Sequence, residues 1–385
     1  MTLKKYMIFV FAGFILFACK EEAKPIENPL LYALDSKDPS IKKILDSLKN
    51  YEVQIRYTQI NRVNDSVFFN EYDFQTNPAQ YFYPASSVKF PVAVLALEKL
   101  NSMPGFDINT RFYIEGDTLE TTVAKEISKL FAVSDNEAYN RLFEFLGQDE
   151  INEKLSKKNI KNVRISHRVS TPNSDDITTK AIVYYTNDST TKITQKIISK
   201  PIKPLNLEGL QKGMGYYEDD ELIQEPFDFS LKNYYAIDAQ HDVLKRIIFP
   251  EKFSKEQQFS ITEEQRQVLL KAMHTLPKEL GYNTEEYYDS YVKFFMYGDN
   301  QKPIADSIEI YNKVGYAYGT LTDCAYIKDT ENDIDFLVTA TILVNKNQIF
   351  NDNNYEYDAV GIPFLAALGR NLYQQELVRK NKEVK

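Results

Sequence analysis

Strand-like segments stand at both ends of this chain, and a long helical block separates them. Residues 53–60 and 66–73 are rich in β-branched and aromatic side chains and flank a turn. Three more strands are predicted at 308–314, 319–328 and 334–344. Strands so divided cannot easily form two independent sheets, so the economical solution is one five-stranded antiparallel sheet. The sequence therefore predicts an α+β fold with two lobes.

Helices are predicted on both sides of these strands. Apolar residues recur at helical spacing in residues 35–50 and again in 359–378. Further helical patterns occupy residues 86–100, 119–132, 136–145, 238–248 and 262–275. We expect the terminal helices to cover the sheet and residues from about 80 to 300 to form a helical lobe. Residues from about 174 to 235 fit neither lobe and are predicted to be an insertion.

One Ser-x-x-Lys pair has the setting of a catalytic pair. A serine and a lysine three residues apart share one face of a helix, where the lysine can take the hydroxyl proton. Ser86 and Lys89 begin a strongly apolar helical segment, so burial should lower the pKa of Lys89 and make it a base. The same spacing recurs without this setting at Ser40/Lys43, Ser189/Lys192 and Ser290/Lys293.

Two other short motifs have both a structural and a chemical interpretation. Ser134-Asp135-Asn136 precedes a predicted helix, where all three residues are good N-caps. A hydroxyl there could also relay a proton to a leaving nitrogen, and an amide could orient a substrate. Lys313-Val314-Gly315 ends a predicted strand, either as a solvated edge lysine with a bulge glycine or as a carboxylate site with close ligand approach.

In combination, the three motifs resemble the signature of class A β-lactamases and penicillin-binding proteins. Their order, setting and relative spacing agree with it, and residues 84–91 look like the family's active-site segment. The stretch from Gly315 through Gly319 to Asp323 resembles the residues directly after the family's third motif. The resemblance covers about 35–380 apart from the insertion. It implies a β-lactamase/transpeptidase-like fold with the site between the lobes.

The resemblance also implies a role for each matched residue. Ser86 would be the acylated nucleophile, Lys89 its activating partner, and Ser134 the group that passes a proton to the leaving nitrogen. For the substrate, Asn136 would bind an amide, and Lys313 would bind a carboxylate and raise the acidity of Ser134. An oxyanion hole beside Gly315 would be formed by the backbone N–H groups of Ser86 and Tyr316.

These roles imply a serine hydrolase that forms an acyl-enzyme with β-lactam or related amide substrates. The alternatives are a D,D-peptidase or penicillin-binding-like cell-wall hydrolase, and a binding lipoprotein without turnover. The expected partners are a small β-lactam or a peptidoglycan peptide. We expect no cofactor and a monomer.

Two departures from the family pattern bear on turnover. Val314 replaces the threonine of the third motif, so one hydroxyl donor to the substrate carboxylate is missing. The loop that carries the family's deacylating glutamate corresponds to residues 164–173, which hold no carboxylate. Loss of a general base typically slows such a step by about 10²–10⁴. We therefore expect acylation with weak or absent β-lactam turnover.

The N-terminus carries a predicted export signal. Lys4 and Lys5 precede the apolar run 7–18, which is too short to span a bilayer and typical of a signal peptide. The sequence Leu-Phe-Ala-Cys that ends at Cys19 resembles a bacterial lipobox. We expect a signal peptide at 1–18, a lipidated Cys19 with a tether to residue 34, and a catalytic domain at 35–385. Lipid on Cys19 would anchor the protein to a membrane of the bacterial cell envelope.

Composition argues against other kinds of site. A formal net charge of −9 disfavours nucleic-acid binding, which requires a basic face. The three histidines stand singly in the sequence, so no metal site is predicted. Cys324 lies in an apolar strand-like run, which favours a buried, inert thiol over a nucleophile.

Overall fold

A computed structural model describes residues 28–64 and 66–383. The predicted signal peptide, the lipobox and Cys19 lie outside these residues, so their assignment stays a prediction. Within the described ranges, no helix has the length and apolar character needed to cross a bilayer.

Helices and strands follow one another in a mixed order. The helices are α1 Pro29–Leu34, α2 Pro39–Leu45, α3 Lys89–Leu100, α4 Val123–Ala132, α5 Asn136–Leu146, α6 Gln148–Lys157, α7 Ile237–Ile248, α8 Glu263–His274 and α9 Ile362–Glu383. The first strands are β1 Gln54–Val63, β2 Ser66–Phe74, β3 Phe112–Ile114, β4 Val163–Arg164, β5 Ile182–Tyr185, β6 Thr191–Ile193 and β7 Gln211–Lys212. The later strands are β8 Gly215–Glu218, β9 Glu221–Ile223, β10 Phe227–Asp228, β11 Tyr234–Tyr235, β12 Ile308–Ala317, β13 Thr320–Asp329, β14 Ile334–Leu343 and β15 Ile349–Phe350.

The long strands form one five-stranded antiparallel sheet in the order β12-β13-β14-β1-β2. The contact between β1 and β14 joins the two ends of the chain, with Tyr57 opposite Val338. The predicted sheet is thereby confirmed, and β12, which carries the third motif, is one of its edges.

The terminal helices cover one face of this sheet. Helices α1, α2 and α9 pack there around a core that includes Leu30, Ile41, Phe336 and Leu372, all fully buried; we call it the sheet–α9 core. Glu376 is also fully buried and accepts hydrogen bonds from the Tyr57 hydroxyl and the Gln59 amide. Helix α9 is therefore held against the sheet by buried hydrogen bonds in addition to apolar packing.

The helical lobe packs against the opposite face of the sheet. Its core contains most of α3, where Val92, Val94 and Leu97 are fully buried, together with apolar residues from α4 to α8. Burial on nearly all sides explains why α3 has no polar stripe. The N-terminal end of α3 thus lies deep between the lobe and the sheet.

Several elements differ from the predictions. The helix expected over 35–50 is shorter than predicted, because α2 begins only at Pro39, with Asp38 as its cap, and ends at Leu45 before a separate 3₁₀ turn at Leu48–Asn50. Helix α1 has the same design, with cap Asn28 and Pro29, and it occupies part of the predicted tether. Helix α6 was not predicted, since it follows α5 directly after Gly147 and the two patterns merge in the sequence.

The segment predicted as an insertion forms short strands and contributes to an aromatic cluster. Strands β5 and β6 pair as a hairpin, and β5 also pairs with β3 of the helical lobe. Tyr81, Phe229 and Phe350 are almost fully buried against one another beside the first motif.

Candidate active site

Ser86 lies in a 3₁₀ turn, Ala85–Val88, that leads directly into α3. Ala85 has a φ of 47°, a left-handed conformation that turns the chain towards the cleft. The Ser86 side chain lines the cleft between the lobe and the sheet. Among the described residues, its hydroxyl has no hydrogen-bond partner, so it is available to a bound molecule.

Lys89 is fully buried one turn further on. Its ammonium group donates to the Asn136 Oδ1 atom at 2.6 Å and lies 3.4 Å from the Ser134 hydroxyl. Burial lowers the pKa of Lys89 to about 7, so a large fraction of this amine is neutral near pH 7. A neutral amine beside the Ser134 hydroxyl, one helical turn from Ser86, can act as a base.

Ser134 accepts a hydrogen bond from Lys313 Nζ at 2.8 Å, so two lysines contact its hydroxyl. Its φ of 56° is unusual for a residue other than glycine, and such strain is concentrated at functional sites. The pKa of Lys313 lies well below its usual range, first because of burial and then because of the charge on Lys89. A negative charge bound in the cleft would therefore favour the protonated form of Lys313.

The N-cap interpretation of the second motif applies to only one of its residues. Asp135 caps α5, because its Oδ1 accepts from the backbone N–H of Ala138 at 2.8 Å. Ser134 and Asn136 are left to face the cleft.

Gly315 brings the backbone of β12 against the turn that carries Ser86. A Cβ at this position would lie 2.6 Å from the Pro84 carbonyl oxygen and 2.9 Å from the backbone nitrogen of Ser86. Only glycine fits such a contact, and Lys313 is buried, so the interpretation as a solvated edge lysine with a bulge glycine does not hold. Tyr316 follows it and is about half exposed on the cleft wall.

The cleft has a volume of about 850 Å³ and is open to solvent. Its catalytic wall includes Ser86, Ser134, Asn136 and Tyr316, whereas Lys89, Lys313 and Gly315 are buried behind that wall. The remaining walls are supplied by the segment 167–174, by Tyr83, Lys232, Tyr287 and Tyr291, and by Ala317 and Tyr318. Of the predicted catalytic and substrate-binding residues, four thus line the cleft and three lie buried behind its wall.

Ser170 belongs to the loop that was predicted to lack a carboxylate, and it lines the cleft beside Asn136. Its hydroxyl accepts from the Asn136 amide nitrogen at 3.0 Å, and its φ is 51°. The preceding residue, Val169, is fixed through both backbone groups by the Asn140 side chain at 3.0 Å. Among the described residues, Asp135 and Glu137 are the carboxylates that line the cleft, and Asp135 is engaged as a helix cap.

His167 also lines the cleft, but its ring is fully engaged. Nδ1 donates to the Arg168 carbonyl at 2.6 Å, and Nε2 accepts from the backbone N–H of Asn233 at 3.2 Å. Burial lowers the pKa of His167 to about 4, so the ring is neutral at neutral pH. With both nitrogens occupied, it supports the loop and has no free lone pair for a proton.

Other candidate residues have structural roles. In the buried Ser290/Lys293 pair, the serine hydroxyl donates to the Asn300 carbonyl and the lysine ammonium group donates to the Met273 carbonyl. Cys324 is buried, and burial raises the pKa of its thiol, as expected for an inert residue. Val314 is also buried, in the sheet–α9 core, so its side chain is not on the cleft wall. Within the described ranges, no cluster of His, Cys, Asp or Glu could hold a metal ion.

Comparison with known proteins gives a match to one family model over part of the chain and one shared fold. Residues 39–208 match the model of the β-lactamase enzyme family. None of the curated proteins matches the chain.

Several solved structures share the fold at 13% sequence identity. The β-lactamase from Sphaerobacter thermophilus DSM 20745 has a TM-score of 0.50, with 91% of this chain and 97% of that chain covered. The structure of PBP-A gives 0.51, with the same coverage of 91% and 97%. A class A β-lactamase from Mycobacterium abscessus gives 0.50, with 87% of this chain and 98% of that chain covered. At this identity, the likeness concerns the fold.

Proposed function

We propose that this chain, which is β-lactamase-like in its fold and in its family match, is a serine hydrolase that acylates Ser86 with β-lactam or related amide substrates. The observation that carries the proposal is the convergence of one free serine hydroxyl, two buried lysines and a second serine at a single cleft. That set contains a nucleophile, a base and a proton relay, which amide cleavage requires.

The acylation step follows from these groups. The Ser86 hydroxyl oxygen attacks the substrate carbonyl carbon, and its proton passes to neutral Lys89. The negative charge on the carbonyl oxygen is stabilised by the backbone N–H groups of Ser86 and Tyr316. The amide C–N bond then breaks, and the leaving nitrogen takes a proton from Ser134, to which Lys89 passes the proton that it received from Ser86. The substrate carboxylate binds near Lys313, and its charge favours the protonated lysine.

Deacylation is the slow step in this proposal. Water must attack the Ser86 ester, and the position beside Asn136 is held by the hydroxyl of Ser170, which is far too weak a base to activate water. This observation also favours the second candidate, a penicillin-binding-like D,D-peptidase with a long-lived acyl-enzyme. If the acyl-enzyme were not hydrolysed at all, the protein would bind its ligand without turnover, which is the third candidate.

Labelling with a fluorescent penicillin tests the proposal. The wild-type protein should be labelled covalently, and intact mass should rise by the mass of one penicillin. Ser86→Ala should abolish both signals. Ser87→Ala is the matched control, because Ser87 lies next along the chain with its hydroxyl bound to the Pro84 carbonyl. Labelling that persists in Ser86→Ala would contradict the proposal.

Turnover of a chromogenic cephalosporin then separates the candidates. We expect one rapid equivalent followed by slow release. Fast, Ser86-dependent steady turnover would show that another group replaces the missing base. Cleavage of a D-alanyl-D-alanine peptide by the wild type, but not by Ser86→Ala, would favour the D,D-peptidase.

We also propose a lipid anchor on Cys19 and a place in the bacterial cell envelope. The support is the lipobox-like sequence before Cys19. Expression in a bacterial host with a radiolabelled fatty acid should label the wild type, and Cys19→Ser should remove the label and release the protein from membranes.

A further inference from the structure

We propose that Lys232 is a specificity-determining residue that binds a carboxylate on the acyl side of the substrate. The inference rests on the proposed function, because the acyl side is defined by attack of Ser86. Lys232 comes from the end of the inserted segment and lines the same cleft as Ser86. The substrate class it selects is an amide whose acyl part carries a second negative charge.

Lys232 differs from the other cations at this cleft in having no partner. Lys89 and Lys313 already have oxygen partners in the second and third motifs. Arg168 forms a buried ion pair with Glu144, with Nε 2.6 Å from Oε1. Within the part of the chain that the structure describes, the ammonium group of Lys232 has neither a hydrogen bond nor an ion pair.

The backbone around Lys232 is fixed. Its N–H donates to the Phe229 carbonyl at 2.9 Å, and its carbonyl accepts from the Arg164 guanidinium. The following residue, Asn233, binds His167 through its N–H. The side chain is therefore anchored at its base, which reduces the ordering cost of binding an anion.

Charge compensation near Lys232 is weak. The neighbouring His167 is neutral at pH 7, and the positive charge of Lys232 itself contributes to that. Asp175 is close enough for its charge to affect His167 and Tyr83, but it is exposed and makes no ion pair with Lys232. Glu137 lines the cleft beside the second motif and is also exposed. A substrate anion would thus meet a cation that the protein has not neutralised.

Lys232 lies towards the acyl end of the cleft. The leaving group is placed at one end by Ser134 and Lys313. Strand β12 continues four residues from Lys313 to Ala317, a distance of about 13 Å at the rise of an extended strand. Beyond it, the Tyr318 ring packs on Tyr83 with centroids 4.9 Å apart, and Tyr83 stacks on His167, the neighbour of Lys232.

Two penicillins that differ by a single carboxylate provide the test. Carbenicillin is benzylpenicillin with an added carboxylate on the acyl side chain, and both share the carboxylate of the fused ring. Binding is measured by calorimetry in a Ser86→Ala background, so that no covalent step contributes. The quantity is the ratio of the two dissociation constants, with and without Lys232→Gln. Lys203→Gln is the matched control, because it is an exposed lysine of the same segment away from the cleft.

We expect Lys232→Gln to reduce the preference for carbenicillin about 5-fold at low salt, as for a partly exposed ion pair. The effect should shrink in 0.5 M NaCl because of screening. Lys203→Gln should leave the ratio unchanged, and melting temperatures confirm that each variant is folded. The proposal would be overturned if Lys232→Gln left the ratio of the two dissociation constants unchanged, which includes an equal change for both penicillins. It would also be overturned if neither penicillin bound. Acylation of the wild-type protein is measured separately by intact mass, so failure of the proposed function has its own signature.

Discussion

At the scale of single residues, the site depends on two buried amines, Lys89 and Lys313, and on Ser134, whose hydroxyl contacts both of them. The spacing of Ser86 and Lys89 and the order of the motifs were readable from the sequence. The hydrogen bonds of Ser134 were not, because they depend on its left-handed backbone conformation and on Asp135 taking the role of helix cap. Local sequence shows which groups are present, and only the tertiary contacts show which of them stay free.

Removing the amine of Lys89 should abolish most of the acylation. Lys89→Met keeps a long, buried side chain but has no base, so we expect the acylation rate to fall by about 10²–10⁴. In the wild type, the rate should rise with pH through about 7, because the neutral, basic form of Lys89 grows as pH passes its pKa. The measurement is stopped-flow labelling from pH 5 to 9. A wild-type rate that falls over this range would contradict the role of Lys89 as base.

A carboxylate at residue 170 should shorten the life of the acyl-enzyme. Ser170→Glu places a base beside Asn136, and we expect deacylation to accelerate by at least about 10-fold, below the full general-base factor because of imperfect placement. Serine already bears the strain of the left-handed φ at residue 170, so the substitution should add little backbone strain. Ser170→Gln has the same shape without the base and should not deacylate faster. Equal rates in the two variants would show that the cleft lacks a usable water.

At the scale of elements, the loop beside the site is held by α5. Asn140 binds the backbone of Val169, and Glu144 binds both Arg168 and the backbone N–H of Lys180. The sequence correctly indicated that residues 164–173 hold no carboxylate. It did not indicate Ser170 or Lys232 as cleft residues, because their placement depends on loop contacts that have no periodic pattern.

Breaking the buried ion pair should destabilise this loop and the helical lobe. Glu144→Gln leaves the Arg168 guanidinium, which is 2% exposed, without a counter-charge. We expect a loss of about 3 kcal/mol in the free energy of unfolding, measured by urea denaturation. Glu153→Gln, which removes an exposed ion pair with Lys157, is the control and should leave the stability unchanged. If both variants had the same free energy of unfolding, water would have to solvate the Arg168 guanidinium in place of the lost carboxylate.

At the scale of the whole molecule, the sheet connects the two ends of the chain. Its five strands and its antiparallel order were predictable, since strand patterns separated by a helical block leave few alternatives. The helix boundaries were less predictable, because the prolines that begin α1 and α2 interrupt an otherwise continuous apolar pattern. The short strands of the insertion could not be predicted reliably from local sequence, because their positions depend on the strands with which they pair.

The packing of α9 should control the stability of the entire fold. Leu372 is fully buried in the sheet–α9 core, and Leu372→Ala should cost about 2–5 kcal/mol. Val378, on the same helix, is 44% exposed, and Val378→Ala should change stability by less than about 0.5 kcal/mol. Measured by thermal unfolding, the melting temperature should fall in Leu372→Ala. Penicillin labelling of this variant should be lost over the same range of temperature as its unfolding. Labelling that outlasts the melting of the sheet would show that the helical lobe can stand alone.

The pairing of β1 with β14 also has a consequence for biosynthesis. A ribosome completes β2 at residue 74 and does not reach β12 until residue 308. At about 5–20 residues per second, the first hairpin emerges at least ten seconds before its neighbours in the sheet exist. During that delay the edge of β1 is unpaired and open to other chains. The native sheet can therefore form only after β14, the partner of β1, has been synthesised.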